Sequence, residues 1–155
     1  MKVHALLTEE MIIPELASTG REEALQEMVS FLKGREKITC PDELYEKLLQ
    51  REKQQSTAIG DGVAIPHCKL KEVKDPILVL AVSKKGVRFE SMDGKPAHVF
   101  FLVISSPENP SVNLQILAAI AHLARKASSL QKKILQAKTP ARIIEVIREI
   151  EEKME

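Results

Sequence analysis

The residues best suited to chemistry lie in the stretch Ser56-Thr57-Ala58-Ile59-Gly60-Asp61-Gly62-Val63-Ala64-Ile65-Pro66-His67. An aliphatic run ends there in a histidine directly after a proline. A Gly-Asp-Gly turn precedes the run, and a Ser-Thr pair precedes the turn. Neutral imidazole is a good nucleophile near pH 7, its free pKa being about 6.5. A histidine delivered by a strand beside hydroxyls and small loop residues can therefore take up a phosphoryl group. Cys68 adjoins His67, which raises a Cys-His pair or a metal centre as alternatives. Neighbouring residues on an extended segment point to opposite faces, so nucleophile and base do not meet. No second Cys or His stands at metal-ligand spacing. The other cysteine, Cys40, precedes Pro41, and the two thiols do not suggest a disulfide framework.

The remaining histidines read as structural. His4 lies at a frayed or edge position, His98 begins an aliphatic run, and His122 lies inside an apolar helix. By position alone a lone histidine is more often simply buried. His67 differs in its loop-like surroundings of small residues.

Several elements must position this stretch. Thr8-Glu9-Glu10 opens a turn before Met11-Ile12-Ile13, which stops at Pro14. Ala24, Leu25, Met28, Val29 and Leu32 recur at helical spacing from Arg21 to Lys33, and Gly34 suits a stop. Pro41 begins a second helix with Asp42 and Glu43 in its first turn, as the helix dipole favours. Leu44, Leu48 and Leu49 form its inner stripe. Arg51 near its end reads, on this pattern alone, as a surface ion-pair residue. Ile77 to Val82 and His98 to Ile104 are predicted as buried strands, with the turn signal Asp93-Gly94 between them. Ser111 to Lys126 is apolar almost all round and is expected to be buried. A shorter helix is predicted over Ser128 to Ala137. Thr139-Pro140 caps a last one that buries Ile143, Ile144, Val146, Ile147 and Ile150. Helices, then strands, then helices predict a sheet covered on both sides.

Composition bounds the function. A chain of 155 residues fits one domain over 1–155. Aliphatic residues must build its core, because aromatics are only 3 %. A formal net charge of +1 supplies no electrostatic case for nucleic acid or an anionic membrane surface. No apolar run approaches the ~20 residues of a membrane span, and the N-terminus lacks the pattern of a signal peptide. A soluble, cytoplasmic protein is the expectation.

The combination Arg51-Glu52, Ser56-Thr57 and Ile59-Gly60-Asp61-Gly62-Val63-Ala64-Ile65-Pro66-His67 resembles the active-site signature of the fructose–mannitol type enzyme IIA. That family comprises phosphocarriers of the bacterial phosphoenolpyruvate-dependent sugar phosphotransferase system and includes the nitrogen-regulatory IIA proteins. The resemblance runs over nearly the whole chain, with Val112 to Arg125 similar to the family's later helix. It implies an α/β fold, a three-layer α/β/α sandwich with a mixed sheet of four or five strands. It puts His67 where the family has its phosphorylated histidine and Arg51 where it has an arginine near the phosphoryl group. Asp61 falls where some members carry an acid, and Ser56 and Thr57 match the hydroxyl pair and can donate hydrogen bonds. Backbone N–H groups of the Gly60-Asp61-Gly62 turn can add to them. The implied partners are an HPr-like phosphocarrier as donor and a IIB domain or regulatory target as acceptor, expected as separate proteins, with no cofactor and no metal. One departure stands out. The family's second histidine, at the start of the later helix, is replaced by Asn113, which can donate a hydrogen bond but cannot become charged. His122, nine residues on, falls on the opposite side of that helix. Two roles stay open, sugar transport and phosphorylation-controlled binding of partner proteins, together with a fold relative that has lost the transfer.

Overall fold

The computed structural model describes residues 1–154. In chain order they form α1 (Val3–Leu6), a 3-10 turn (Glu9–Met11), β1 (Ile12–Ile13), α2 (Arg21–Gly34), α3 (Pro41–Gln54), β2 (Ala58–Gly60), β3 (Val63–Ala64), β4 (His67–Lys69), β5 (Ile77–Val87), β6 (Ala97–Ser105), α4 (Pro110–Lys126), α5 (Leu130–Gln136) and α6 (Pro140–Lys153).

β6 is the spine of the sheet. It pairs antiparallel with β5, from Ile77↔Ile104 to Val82↔Val99, and parallel with β3 and β4 on its other side. The strand order is β1-β5-β6-β3-β2, with β4 also on β6. β3 and β4 keep one register against β6 (Ala64↔Phe100, His67↔Val103), so they are a single strand interrupted at Ile65-Pro66. The six strands therefore fill five positions, in agreement with the expected mixed sheet.

Both faces of the sheet are covered, which is why β5 and β6 read as continuous apolar runs rather than alternating ones. Phe100, Leu102, Ile104, Val79 and Ala81 face α2 and α3 and pack with Leu25, Met28, Leu32, Leu44 and Leu48. Val99, Phe101, Val103, Leu78, Leu80 and Val82 face α4, α5 and α6 and pack with Ile116, Ile120, Leu123, Ile134, Ile143 and Ile147. The last helix is capped as expected, Thr139 Oγ1 accepting the Arg142 N–H at 3.2 Å.

Two expectations change. α4 is not buried all round: Ile116, Ile120 and Leu123 form one inner face while Leu114 is 65 % exposed and His122 is exposed. The helix is apolar because one face packs and another lies open beside the His67 cavity described below. β5 runs on past Val82 to Val87 through a register irregularity, with Gly86 at φ +90°. α2 ends at Gly34 as expected, with Arg35 as its C-cap donating its N–H to Phe31 O. No helix among the described residues is long and apolar enough to cross a membrane.

Candidate functional site

The break between β3 and β4 creates the site. Ile65 still belongs to the sheet, its N–H donating to Thr57 O at 3.1 Å. Pro66 has no N–H to give, and its carbonyl accepts the Val103 N–H at 2.9 Å. Beyond it β4 pairs with β6 alone, so His67 lies at an open sheet edge with its ring half-buried. Residues paired across neighbouring strands share a face. His67, opposite Val103, faces the α4 layer, whereas Cys68, opposite Ile104, packs into the α2–α3 core. The two side chains point apart, and burial pushes the Cys68 thiol up to about 12. Cys40 is also held at about 12, chiefly by its hydrogen bond to Glu72. Neither cysteine offers a thiolate near neutral pH.

His67 opens into a cavity of about 290 Å³ lined by Arg51, Gln55, Ser56, Thr57, Ile59, Ile65, Leu117 and Ala121. Its Nδ1 lies 2.7 Å from Ile65 O. A carbonyl can only accept, so Nδ1 carries the proton and Nε2 keeps its lone pair. Burial lowers the imidazole pKa below the ordinary value; the Ile65 bond opposes this and the Arg51 charge adds to it. Arg51, from the last turns of α3, donates through Nη1 to Gln55 O at 2.7 Å. That anchor holds the guanidinium at the helix end with donors left over for a ligand.

The other expected site residues divide. Ser56 and Thr57 line the cavity, but their hydroxyl protons are committed to the scaffold. Ser56 Oγ donates to Phe89 O at 2.9 Å, and Thr57 Oγ1 donates to the Glu52 carboxylate. The expected donation to a phosphoryl group is not available from this arrangement. Asp61 is not brought to His67. It sits exposed at φ +54° in the turn that opens β3, the end of the strand opposite His67. The extended run from Val63 to His67 spans about 13 Å, and Asp61 lies beyond it in the turn. The Gly60-Asp61-Gly62 amides lie at that far end as well, and Asp61 instead lines a groove with Lys95, His98 and Lys132. Asn113 lies in the first turn of α4, 8 % exposed, with Oδ1 unpartnered among the described residues. It stands four residues before Leu117 and eight before Ala121, both cavity residues, and so shares their stripe without lining the cavity itself. His122 is exposed on another face.

One residue of the signature was given no role by the sequence analysis. Glu52 is 2 % exposed, and its oxygens accept the Thr57 N–H at 3.0 Å and the Thr57 hydroxyl. Burial raises its pKa, the Thr57 bonds and the Arg51 and Arg21 charges working against that. The available signal was the spacing Leu44, Leu48, Glu52, which continues the inner stripe of α3 with an acid. Among the described residues, no group of three or more His, Cys, Asp or Glu is arranged to hold a metal ion.

Comparison with known proteins gives the geometry its context. Residues 5–150 match the family "Phosphoenolpyruvate-dependent sugar phosphotransferase system, EIIA 2". A fructose-specific EIIABC component of Bacillus subtilis (strain 168) is 35 % identical over 147 residues, 95 % of this chain but only 23 % of that protein. A nitrogen regulatory protein of Bradyrhizobium diazoefficiens is 37 % identical over 134 residues, 85 % of this chain and 86 % of the relative. Among solved structures, the nitrogen regulatory protein IIA-Ntr of Neisseria meningitidis superimposes with a TM-score of 0.81 at 23 % identity, covering 94 % of this chain and 98 % of that one. The IIA of the Escherichia coli mannitol IIA–phosphorylated IIB complex superimposes with a TM-score of 0.74 at 19 % identity, covering 92 % and 97 %. The two structures agree with the fold. The match over residues 5–150 settles membership: this chain belongs to the EIIA 2 family of the phosphoenolpyruvate-dependent sugar phosphotransferase system.

Proposed function

We propose that the chain accepts a phosphoryl group on Nε2 of His67 and passes it to a protein partner. The observation that carries this reading is the 2.7 Å bond from Nδ1 to Ile65 O, which leaves Nε2 unprotonated in a cavity shared with Arg51. The Nε2 lone pair attacks the phosphorus of a phosphohistidine on an HPr-like donor. The Nε2–P bond forms as the donor's N–P bond breaks, and that bond's electrons leave with the donor ring. His67 becomes an N-phosphorylated imidazolium whose Nδ1 keeps its proton, still donated to the Ile65 carbonyl. A donor ring protonated on its other nitrogen leaves as neutral imidazole, so no proton crosses between the proteins. Most of the protein's share in such a transfer is positioning and stabilisation of spread negative charge. The Arg51 fork supplies the charge, and the lowered His67 pKa keeps the nucleophile neutral at pH 7. Asn113, close to the N-terminal end of α4, offers amide hydrogen bonding without titrating.

Onward transfer uses the same displacement with a IIB thiolate as nucleophile. The solved mannitol relative is paired with a phosphorylated IIB, which supports an acceptor of that class. A regulatory role uses the same His67 chemistry, with the phosphorylation state controlling partner binding. It is favoured by the nitrogen regulatory relative, which is matched over 86 % of its own length. The test is transfer from radiolabelled phosphoenolpyruvate through enzyme I and HPr. Acid-labile, base-stable label on the wild type and none on His67→Ala is the expected result. No label on the wild type, with the carriers active on a control IIA, overturns the reading. Label that then moves to a IIB domain marks transport; label that stays and alters partner affinity marks regulation.

A further inference from the structure

Glu52 takes no part in the transfer chemistry, yet its position is costly. A buried carboxyl needs hydrogen bonds to offset its lost hydration. The C-terminal turn of a helix, where Glu52 lies in α3, also disfavours negative charge. What it holds in return is the edge of the site. β2 is the last strand of the sheet and only three residues long, and its pairing with β3 is irregular between Ala58 and Gly60. Glu52 ties the chain just before it to α3, accepting the Thr57 N–H at 3.0 Å and the Thr57 hydroxyl. Thr57, 5 % exposed, passes the constraint on. Its carbonyl accepts the Ile65 N–H at 3.1 Å, and the Ile65 carbonyl accepts the His67 Nδ1–H at 2.7 Å. Each residue of this relay uses its N–H and its C=O on opposite neighbours, so a shift at Thr57 moves the carbonyl that aims the imidazole.

We propose that Glu52 is a positioning residue that sets the tautomer and aim of His67 through Thr57 and Ile65. The proposal rests on the reading of His67 as phosphoryl acceptor. Which ring nitrogen carries the proton follows from the hydrogen bond the other one makes, so loosening Ile65 O releases the proton from Nδ1 and blocks Nε2.

The test uses Glu52→Met, which keeps the volume and removes both acceptors, in the full chain with ¹⁵N-labelled histidine. Wild-type His67 is expected to show a protonated Nδ1 and an unprotonated Nε2. In E52M the Nδ1–H form loses its dominance while the amide spectrum stays folded. The phosphoryl-acceptance rate drops about ten- to a hundredfold, the scale set by an ångström of misplacement. Glu52→Gln, whose amide oxygen still accepts the Thr57 N–H, recovers most of both. Thr57→Val, which removes only the hydroxyl, moves both readouts in the E52M direction by a smaller step, and decides the matter if E52M does not fold. Wild-type tautomer and rate in folded E52M, or in T57V where E52M does not fold, overturn the proposal and leave the His67 reading intact. If the wild type takes no label, the His67 reading falls, and the ring-nitrogen spectrum still decides whether Glu52 sets the tautomer.

Discussion

Two half-buried imidazoles in this molecule are held in the same way but in different surroundings. His67 Nδ1 bonds Ile65 O at 2.7 Å, and His98 Nδ1 bonds Ser83 O at 2.8 Å. Each ring donates from Nδ1 to a backbone carbonyl. The carbonyl for His67 lies two residues back on its own strand, so the bond fixes only the ring. The carbonyl for His98 lies across the β5–β6 pair, beside the irregularity between Val82 and Val87. That bond staples the bulge, and a Cβ on Gly86 would sit 3.0 Å from His98 Cε1. The surroundings differ as well. His98 borders a groove of about 480 Å³ carrying both signs of charge, Asp61 against Lys95 and Lys132. His67 faces one guanidinium among apolar walls from Ile59, Ile65, Leu117 and Ala121. A lone cation acts more strongly where low-dielectric walls limit screening. Locking a tautomer makes a nitrogen available; the field around that nitrogen decides whether it can hold a phosphoryl group.

The contrast can be broken outright by exchanging the two residues as targets. His67→Ala is expected to abolish phosphoryl label, whereas His98→Ala keeps wild-type labelling; loss of label in His98→Ala would erase the distinction. Arg51→Gln tests the field itself. The acceptance rate is expected to fall about a hundredfold, as when one preorganised charge-stabilising donor is removed. Arg51→Lys should fall between the two, because a point charge lacks the fork. A rate for Arg51→Gln within twofold of wild type would mean that Arg51 does not face the phosphoryl group.

A pH profile sharpens the comparison further. Burial first, and then the Arg51 charge, lower the His67 pKa, so acceptance should persist below the free imidazole value of about 6.5. It should fade as pH drops through the lower folded-state value. Removing Arg51 moves that acid limb upward. The stability sign follows, because below about pH 6.5 the unfolded chain binds a proton that folded His67 refuses. Stability is therefore retained above that pH and lost as pH falls through the folded pKa. The smallest effect belongs to the staple. His98→Ala should cost about 1 kcal/mol, the worth of one internal hydrogen bond, seen as a lower urea midpoint with labelling unchanged.

Helix periodicity, Pro at helix starts and the aliphatic runs were legible because each depends on a residue's near neighbours. Ala24 to Leu32, Pro41 and Thr139-Pro140 all fall where the spacing puts them. Cys68 was also readable, since alternation on a strand is local. Asp61 was expected at the site from the resemblance alone, and the strand between it and His67 puts it in a different groove. Ser56 and Thr57 line the cavity, but the partners of their hydroxyls, Phe89 O and Glu52, belong to other elements. α4 was read as buried because apolar composition does not say which face stays open to the site.

The sequence alone therefore determined the element order, the family resemblance and the candidate residue His67, since these reside in residue types and short spacings. Only the tertiary structure decided which imidazole nitrogen is free, where Arg51 is anchored and why Glu52 is buried. Those depend on strand register and on hydrogen bonds between α3, the β2 edge and β4, and no local pattern encodes such pairings.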